Sequence, residues 1–425
     1  MAFLRNLLAS VLGTLVALGI LFFMFLIFAA LAGAGDEVRV KNNSVLKLEF
    51  PYPVSEYAAA DPDDPFTLFF EPKMGLDEIV QAIKVAKEDD RIKGISISTP
   101  FLMAGMAQTK AIRDALSGFR ESGKFVYAYG DFYVQKDYYL SSIADSVFIN
   151  PTGNLDFKGL AAEVLYFKDF QEKSGLKMEV VRHGKYKSAV EPFLSDTMSP
   201  ENREQLGSLI LSLWESMRDG IGESRNISGE TLDRIADSLE ARTPEKALAL
   251  GLIDGIVYAD QYEDKLLRES GGEGKHPELI KLQRYMRYSR KKPVYKGKDE
   301  IAVVYAQGEI GYGEGSPDII GQGKMTKALR LAREDKDVKA VVVRINSPGG
   351  SALTSEIIWR ELQLTRQEKP VVISLSDIAA SGGYYMAVGG DKILAEPNTI
   401  TGSIGVFATV PNLNGISQKV GINAE

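Results

Sequence analysis

The amino-terminal segment is the longest apolar stretch of the sequence, with no charged residue from position 7 to position 35. As an α-helix it would extend roughly 40 Å, enough to cross the ~30 Å hydrocarbon core of a bilayer. A cleavable signal peptide has a shorter apolar region of about 7–15 residues, although Ala30-Leu31-Ala32 is typical of a cleavage site. We therefore predict an uncleaved transmembrane anchor. Flanking charge leaves its orientation open, because basic residues occur on both sides.

Two parts of the remaining sequence repeat each other. AKEDDRIKGISIS, beginning at Ala86, matches AREDKDVKAVVVR, beginning at Ala332, at an offset of 246 residues. The same offset holds without a gap at many later positions, which pair Asp131 with Asp377, Tyr138 with Tyr384, Tyr139 with Tyr385, Asp145 with Asp391, Pro151 with Pro397, Gly159 with Gly405 and Gly175 with Gly421. A register kept over such a length indicates an internal duplication.

Each copy alternates amphipathic helical patterns with short apolar runs that are typical of buried strands. The predicted elements of the first and second copies are, respectively, helices 76–88 and 325–334, first strands 92–97 and 338–345, and second strands 125–129 and 371–375. Strands that alternate with helices form parallel sheets with right-handed crossovers. The fold class is therefore α/β, with tandem units of parallel sheet flanked by helices.

Capping patterns predict two further helices, 200–213 and 228–238, as a helical excursion after the first unit. A glycine-rich and then basic stretch predicts a solvated linker, although its Arg/Tyr run could instead bind RNA or lipid headgroups. The second copy stops before the counterpart of residue 180, so we expect it to be incomplete. The predicted domains are the cytoplasmic tip and anchor (1–36), the first α/β repeat with its excursion (37–270), the linker (271–298) and the second α/β repeat (299–425).

Composition narrows the chemistry. A formal net charge of −7 and a pI near 5.3 argue against nucleic acid as a partner, since phosphate binding needs a basic surface. The sequence has no cysteine and two histidines, which excludes disulfides, cysteine-bound zinc and thiol catalysis and makes a histidine-based metal cluster nearly impossible. We predict no cofactor and no metal, and a peptide or small molecule as substrate.

Two turns of the second copy carry the residues best suited to catalysis. One strand runs into NSPGGS, beginning at Asn346, and the next runs into DIAASGGYY, beginning at Asp377. The carboxyl ends of neighbouring parallel strands meet at one edge of a sheet, where such folds bind ligands. The Ser381 hydroxyl is then a candidate nucleophile, and the N–H groups of Gly349 and Gly382 are candidate donors to an oxyanion.

By themselves, Ser381 would be read as a helix N-cap and Pro-Gly-Gly as a turn. The first copy argues otherwise. At the positions of Ser381 and the two glycines after it, the first copy has Gln135-Lys136-Asp137, and at those of Gly349 and Gly350 it has Met103-Ala104. A specialised site in one copy explains this asymmetry better than a shared structural need.

A serine nucleophile needs a base, and the first copy offers candidates in RHGKYKSAVEPF, residues 182–193. Lys187 and Lys185 are two lysines of this segment. His183 is a further rival, because serine–histidine chemistry is common. It would need a carboxylate partner, for which Glu191 and Asp377 are the candidates.

Four motifs resemble one family. YKSAVEPF, NSPGGS, SDIAASGGYY and TGSIGV are similar to signal peptide peptidase A, or protease IV, in its long, duplicated form. The resemblance covers nearly the whole chain after the anchor. It implies that Lys187 is the general base for Ser381, that Ser403 orients the lysine, and that Gly349 and Gly382 form the oxyanion hole.

The resemblance also implies a ClpP/crotonase-type fold and a serine endopeptidase with a Ser-Lys dyad that degrades cleaved signal peptides. It implies a dome-like homotetramer anchored in the bacterial inner membrane, with the catalytic domains on the periplasmic side and the lipid bilayer as a partner. Such a mechanism requires the lysine pKa to fall from about 10.4 to about 7–8, and burial must cause that fall.

Two other functions stay open from the sequence. A crotonase-like acyl-CoA enzyme would use the same pair of backbone N–H groups to polarise a thioester. A non-catalytic membrane scaffold would use neither. The anchor favours a membrane-derived peptide as substrate, and acylation of Ser381 by an active-site probe separates the peptidase from both alternatives.

Overall fold

The computed structural model describes residues 2–32, 38–58, 73–98, 100–292 and 297–422. Helix α1 (Ala2–Ala32) opens the chain. Within the described part, residues 2–27 form the one helix long and apolar enough to cross a membrane, with a mean hydropathy of 2.6, and they are not buried against the rest of the protein. The structure therefore has an apolar helix where the sequence predicts the transmembrane anchor.

We call residues 38–292 the first half and residues 297–422 the second half. The strands of the first half are β1 (Ser44–Leu48), β2 (Val54–Ser55), β3 (Met74–Gly75), β4 (Ile92–Ile97), β5 (Phe125–Gly130), β6 (Tyr133–Val134), β7 (Ser146–Ile149), β8 (Leu155–Asp156), β9 (Lys177–Arg182), β10 (Gly255–Ile256) and β11 (Glu278–Lys281). Its helices are α2 (Leu76–Glu88), α3 (Met106–Arg120), α4 (Gln135–Ser141), α5 (Lys168–Ser174), α6 (Pro200–Arg225), α7 (Gly229–Asp237), α8 (Pro244–Ala249), α9 (Ala259–Glu269) and α10 (Leu282–Ser289).

The first half is built on a six-stranded sheet in the order β10-β7-β5-β4-β1-β11. Every neighbouring pair of strands in it is parallel. Apolar residues at helical spacing give α2 one buried face, which consists of Leu76, Ile79, Ala82, Ile83 and Ala86. Helix 76–88 and strand 92–97 have the bounds that the apolar pattern predicts.

The second half contains strands β12 (Glu300–Gln307), β13 (Glu309–Ile310), β14 (Ile319–Ile320), β15 (Val338–Ser347), β16 (Val371–Ala380), β17 (Lys392–Leu394), β18 (Ile400–Gly402) and β19 (Phe407–Asn412). Its helices are α11 (Gln322–Glu334), α12 (Ala352–Arg366), α13 (Gly382–Ala387) and α14 (Asn414–Val420). The sheet runs β12-β15-β16-β17, with β18 also paired to β16, and these pairs are parallel. The predicted α/β class with parallel sheets is confirmed.

The helical excursion is longer than its sequence pattern suggested. Helix α6 begins at Pro200, after Ser199 caps it by accepting a hydrogen bond from the Asn202 N–H, and runs to Arg225 rather than to 213. Met217 and Ile221 are buried in the core of the first half. Apolar packing therefore continues the helix by more than three turns beyond the predicted end.

Part of the predicted linker 271–298 belongs to the first half. Strand β11 is an edge strand that pairs in parallel with β1, and α10 packs against α2. Leu282, Tyr285 and Met286 face the core, while Arg284 between them is exposed and Arg287 is half-buried. The arginines and tyrosines that suggested a solvated stretch are thus the two faces of an amphipathic helix. The remaining domain boundaries stay predictions.

The two halves meet at several places, and two of these contacts position the candidate site. Strand β9 of the first half pairs antiparallel with β19 of the second, from Arg182 opposite Phe407 to Lys177 opposite Asn412. Helix α3 of the first half contacts β16 of the second. The β9–β19 ribbon and the α3–β16 contact bring first-half side chains to the carboxyl ends of the second sheet.

Candidate active site

Ser381 lies between β16 and α13 in a conformation that few non-glycine residues adopt. Its φ is 51° and its ψ is −117°. Its N–H donates to the Gly402 carbonyl at 2.9 Å, and its hydroxyl does not cap the helix that follows. Strained backbone of this kind is held in place by its surroundings and is common at functional sites. The helix-cap interpretation of this serine does not apply, since the hydroxyl points elsewhere.

Lys187 of the first half reaches this hydroxyl. Its side chain is 3% exposed, and Nζ lies 3.4 Å from Ser381 Oγ. Nζ also donates to Ser403 at two atoms, the carbonyl oxygen at 2.6 Å and Oγ at 3.1 Å. The structure therefore joins three of the predicted site residues around one amine, which comes from the opposite half of the molecule.

The β9–β19 ribbon brings the lysine to this position. Lys187 follows β9 by five residues and directly precedes the 3₁₀ helix Ser188–Phe193. Ser403 precedes β19 by a similar distance, and Arg182 pairs with Phe407 at the end of the ribbon nearest the site. Antiparallel pairing places these two chain ends side by side, so the amine contacts a serine 216 residues away.

Burial lowers the pKa of Lys187 below its ordinary value, because an ammonium loses hydration when it leaves water. No carboxylate in the described part of the chain forms an ion pair with it to oppose this effect. The Phe407 ring centroid lies 5.9 Å from Nζ, at the outer limit of a cation–π contact. The neutral amine is thus favoured relative to an exposed lysine.

Gly349 leaves no room for a side chain. Its φ is 106°, and a Cβ there would approach the Ala380 carbonyl oxygen, the Gly382 nitrogen and Ser381 Cβ to 2.8 Å each. The Gly349 N–H donates to Ser347 Oγ at 3.2 Å. The Gly382 N–H, at the first position of α13, donates no hydrogen bond within the described residues. One predicted oxyanion donor is free and the other is bonded to a rotatable hydroxyl.

The rival bases are elsewhere. His183 is exposed, and Lys185 is 81% exposed with Glu201 4.0 Å away. Glu191 accepts hydrogen bonds from the backbone and side chain of Ser199. Asp377 accepts from backbone N–H groups of α3. Neither carboxylate contacts His183, so a serine–histidine–carboxylate arrangement is absent from the described chain.

Sequence reasoning missed Glu56, which is buried next to the site. One of its oxygens accepts from Ser376 Oγ, Gln108 Nε2 and Asn346 Nδ2, and the other accepts from Arg344 Nε at 2.7 Å. The side chain of Glu56 is 1% exposed. A first-half carboxylate therefore lies within the polar interior of the second half.

A sequence signal for this cluster exists within β15 and β16. Arg344 and Asn346 alternate with apolar residues, as do Ser374 and Ser376 in the neighbouring strand. Alternation with a period of two places them on the same face of the sheet. Four polar side chains on one face of an otherwise buried sheet require polar partners. The carboxylate of Glu56 is the partner of three of them, Arg344, Asn346 and Ser376.

A serine hydroxyl within reach of a buried lysine, on parallel α/β units, is an arrangement suited to nucleophilic catalysis. The family described as Peptidase family S49 matches residues 118–271 and 363–425, just over half of the chain. The protein therefore belongs to peptidase family S49, and the match agrees with the ClpP/crotonase type of α/β fold predicted from the resemblance.

Curated relatives extend this similarity along the chain. Protease 4 of Haemophilus influenzae is 36% identical over 365 residues, which cover 83% of this chain and 59% of the relative. Serine protease SPPA, chloroplastic, of Arabidopsis thaliana is 32% identical over 395 residues, which cover 91% of this chain and 57% of the relative. A Putative signal peptide peptidase SppA of Enterococcus faecium is 41% identical over 95 residues, 22% of this chain and 28% of the relative. The chain spans less than three fifths of the length of each.

Proposed function

We propose that this protein is a membrane-anchored serine endopeptidase in which Ser381 is the nucleophile and Lys187 is the general base. The observation that carries the proposal is the 3.4 Å approach of Lys187 Nζ to Ser381 Oγ. The family, the lowered lysine pKa and the strained serine backbone support it.

The contacts of Lys187 suit a neutral amine. A neutral amine has two N–H donors and one lone pair. Two donors match the carbonyl and the hydroxyl of Ser403, which leaves the lone pair directed at the Ser381 hydroxyl. Ser403 thereby orients the base, and its backbone oxygen does so even without its side chain.

The reaction follows from these positions. Lys187 takes the proton of Ser381 as Oγ attacks the carbonyl carbon of the scissile peptide bond. Lys187 then gives this proton to the departing amine, which leaves an ester on Ser381. Lys187 next takes a proton from a water molecule that attacks the ester, and Ser381 is released with its proton restored.

Negative charge develops on the substrate oxygen during both attacks. The free N–H of Gly382 is one donor to this oxygen, and the N–H of Gly349 becomes the second once the Ser347 hydroxyl rotates away. Backbone donors stabilise this charge where it develops, and of the two the Gly382 N–H needs no rearrangement to do so.

We propose that the substrates are peptides released in or near a membrane, in particular cleaved signal peptides. The apolar helix α1 and the name of the Enterococcus faecium relative support this substrate class. From the resemblance to signal peptide peptidase A, we also propose that the two halves lie on the periplasmic side of a bacterial inner membrane and that the protein assembles as a homotetramer.

A fluorophosphonate probe, which phosphonylates activated serines with loss of fluoride, tests the proposal on the purified protein in detergent. We expect mass spectrometry to find the probe on Ser381, and we expect Lys187→Ala to abolish both labelling and cleavage of a short apolar peptide. Lys185→Ala is the matched control, because this neighbouring lysine is exposed and should be dispensable.

Three results would contradict the proposal. Labelling of Lys187→Ala at the wild-type rate would remove the lysine from the mechanism. Turnover of an acyl-CoA thioester without any labelling of Ser381 would indicate the crotonase-like alternative, and the absence of both activities would indicate a scaffold.

A further inference from the structure

The first half has a turn that matches the oxyanion turn of the second half, and polar side chains close it. We call residues 101–105 the first-half turn. Asp137 stands where the second half has Gly383, and its carboxylate accepts the N–H groups of Phe101 at 2.7 Å and Leu102 at 2.8 Å. The carboxylate is buried. It thus occupies two backbone donors of this turn.

Lys136, which stands where the second half has Gly382, adds a second contact. Its Nζ donates to the Ala104 carbonyl at 2.6 Å. The first-half turn is therefore held at both of its ends by two consecutive side chains of α4. A turn fixed in this way provides a rigid support for the chain that follows it.

The chain that follows is helix α3, and its amino terminus binds Asp377 of the second half. Asp377 Oδ1 accepts from the N–H groups of Ala107 at 2.8 Å and Gln108 at 3.1 Å. A Cβ on Gly105 would come within 2.2 Å of both Asp377 carboxylate oxygens. The carboxylate therefore fills the space above a helix end that has no side chain of its own there.

Asp377 also joins the two turns of the candidate active site. Its Oδ2 accepts from Asn346 Nδ2 at 3.2 Å, and Asn346 Oδ1 accepts from the Ile378 N–H at 3.2 Å. Asn346 lies near the end of β15, which leads into the turn with Gly349, and Asp377 lies in β16, which leads into the turn with Ser381. One carboxylate thus connects α3 with both turns.

We propose that Asp377 is a positioning residue through which the closed turn of the first half fixes Ser381 and Gly349 in register. This inference rests on the proposed peptidase function. Asp377 does not touch Ser381 or Lys187, so its effect is on geometry. Displacement of reacting groups by about 1 Å can cost about 100-fold in rate, so a loosened register should reduce turnover rather than substrate binding.

The test measures cleavage of a fluorogenic apolar peptide by the full chain in detergent, normalised to the Ser381 that the fluorophosphonate labels. We expect Asp377→Ala to lower kcat per labelled serine by at least about tenfold, with KM and the pH midpoint unchanged. Because each rate is counted per reactive serine, a loss of folded protein alone would not produce this result.

Gly105→Ala tests the same contact from the other side. The Gly105 backbone has a φ of −74°, which alanine adopts freely, so the collision with Asp377 is its main effect. We expect Gly105→Ala to lower kcat and the double variant Gly105→Ala/Asp377→Ala to be no worse than Asp377→Ala alone, because the collision requires the carboxylate. Effects that multiply would contradict the proposed contact.

Asp391→Asn is the matched control. Asp391 accepts the Val371 N–H at 2.8 Å, at the opposite end of the strand that leads to Ser381, and should leave kcat unchanged. If Asp377→Ala does not fold, Asp377→Asn replaces it. In this variant the side-chain oxygen still accepts from the N–H groups of α3, but the new amide nitrogen faces the Asn346 amide nitrogen and cannot accept from it. We therefore expect a smaller loss of kcat than in Asp377→Ala.

The outcomes separate the two proposals. Wild-type protein that is labelled at Ser381, together with an Asp377→Ala or Asp377→Asn variant of unchanged kcat, overturns the positioning role alone. Wild-type protein that is never labelled at Ser381 overturns the proposed function, and the positioning role with it.

Discussion

The two halves of this molecule share a parallel α/β fold and differ at one pair of matching turns. In the second half the turns carry glycines and Ser381, and a free N–H at Gly382 faces the site. In the first half, the carboxylate of Asp137 accepts the N–H groups of Phe101 and Leu102, and Lys136 Nζ donates to the Ala104 carbonyl, so side chains of α4 bond to other backbone groups of the matching turn. Since the two halves share the fold, the candidate active site of the second half depends on its open turns, and the first-half turn is filled by side chains instead.

The first half nevertheless takes part in the site. It contributes Lys187, which contacts Ser381 and Ser403, and it contributes Glu56, which pairs with Arg344. The halves have therefore become complementary rather than redundant. The following predictions alter one side of this comparison at a time.

Among the variants that alter one of the matching turns, filling the open turn should have the largest effect. Gly349→Ala forces alanine to a φ of 106° and brings its Cβ within 2.8 Å of the Gly382 nitrogen and Ser381 Cβ. We expect kcat/KM for an apolar peptide to fall by about 100-fold or more, the cost of a lost oxyanion donor. Met103→Gly at the matching first-half position is the control and should keep its activity. An active Gly349→Ala variant would remove this glycine from the site.

The pH dependence should reveal the buried base. The protonated amine cannot accept the Ser381 proton, so the rate should fall about tenfold for each pH unit below the pKa of Lys187. Because burial lowers that pKa, the midpoint should lie below the ordinary lysine value of about 10.4. Rates of Ser381 acylation measured across pH check this. A midpoint at the ordinary value would contradict a desolvated base.

A smaller effect is expected from Ser403→Ala. The variant loses the hydroxyl at 3.1 Å but keeps the carbonyl at 2.6 Å, so one of the two contacts that orient the amine survives. We expect kcat to fall by about tenfold with KM unchanged, in line with a loss of about 1.4 kcal/mol of transition-state stabilisation. A fall as large as that of Lys187→Ala would mean that Ser403 does more than orient the base.

The smallest change in fluorophosphonate labelling should come from opening the first half, whereas kcat at Ser381 should fall with the loss of the closed first-half turn. The triple variant Gln135→Ser/Lys136→Gly/Asp137→Gly recreates the second-half motif there. We expect no fluorophosphonate labelling at position 135, because Phe101, Leu102, Met103 and Ala104 still form the neighbouring turn and no buried lysine contacts it within the described residues. Labelling at that position would show that the motif alone is sufficient.

Local pattern predicted the framework well and its polar interior poorly. Helix 76–88 and strand 92–97 could be predicted because their apolar periodicity is regular. The second strand of the second half was predicted to end at 375, but β16 continues to Ala380. Ser376 and Asp377 look like strand-ending residues in the sequence, yet Glu56 and α3 of the first half satisfy them.

The candidate site could be predicted only through comparison. Ser381 and the glycines were found because the two copies differ there, and the resemblance supplied Lys187. Glu56 is 288 residues from Arg344, and no local pattern links residues so far apart. The strained φ of Ser381 likewise depends on packing against Gly349 and Gly402 rather than on its own propensity.

The protonation state of Lys187 tests the central claim most directly. Protein labelled with ¹³C at lysine Cε, compared with Lys187→Ala to assign the signal, gives the titration of this one amine by NMR. We predict a midpoint below about 10.4, the ordinary lysine value, because burial lowers the pKa of this amine, and a neutral amine at the pH where Ser381 reacts with the fluorophosphonate. A signal that titrates like the exposed lysines, in protein whose Ser381 reacts normally, would contradict the account.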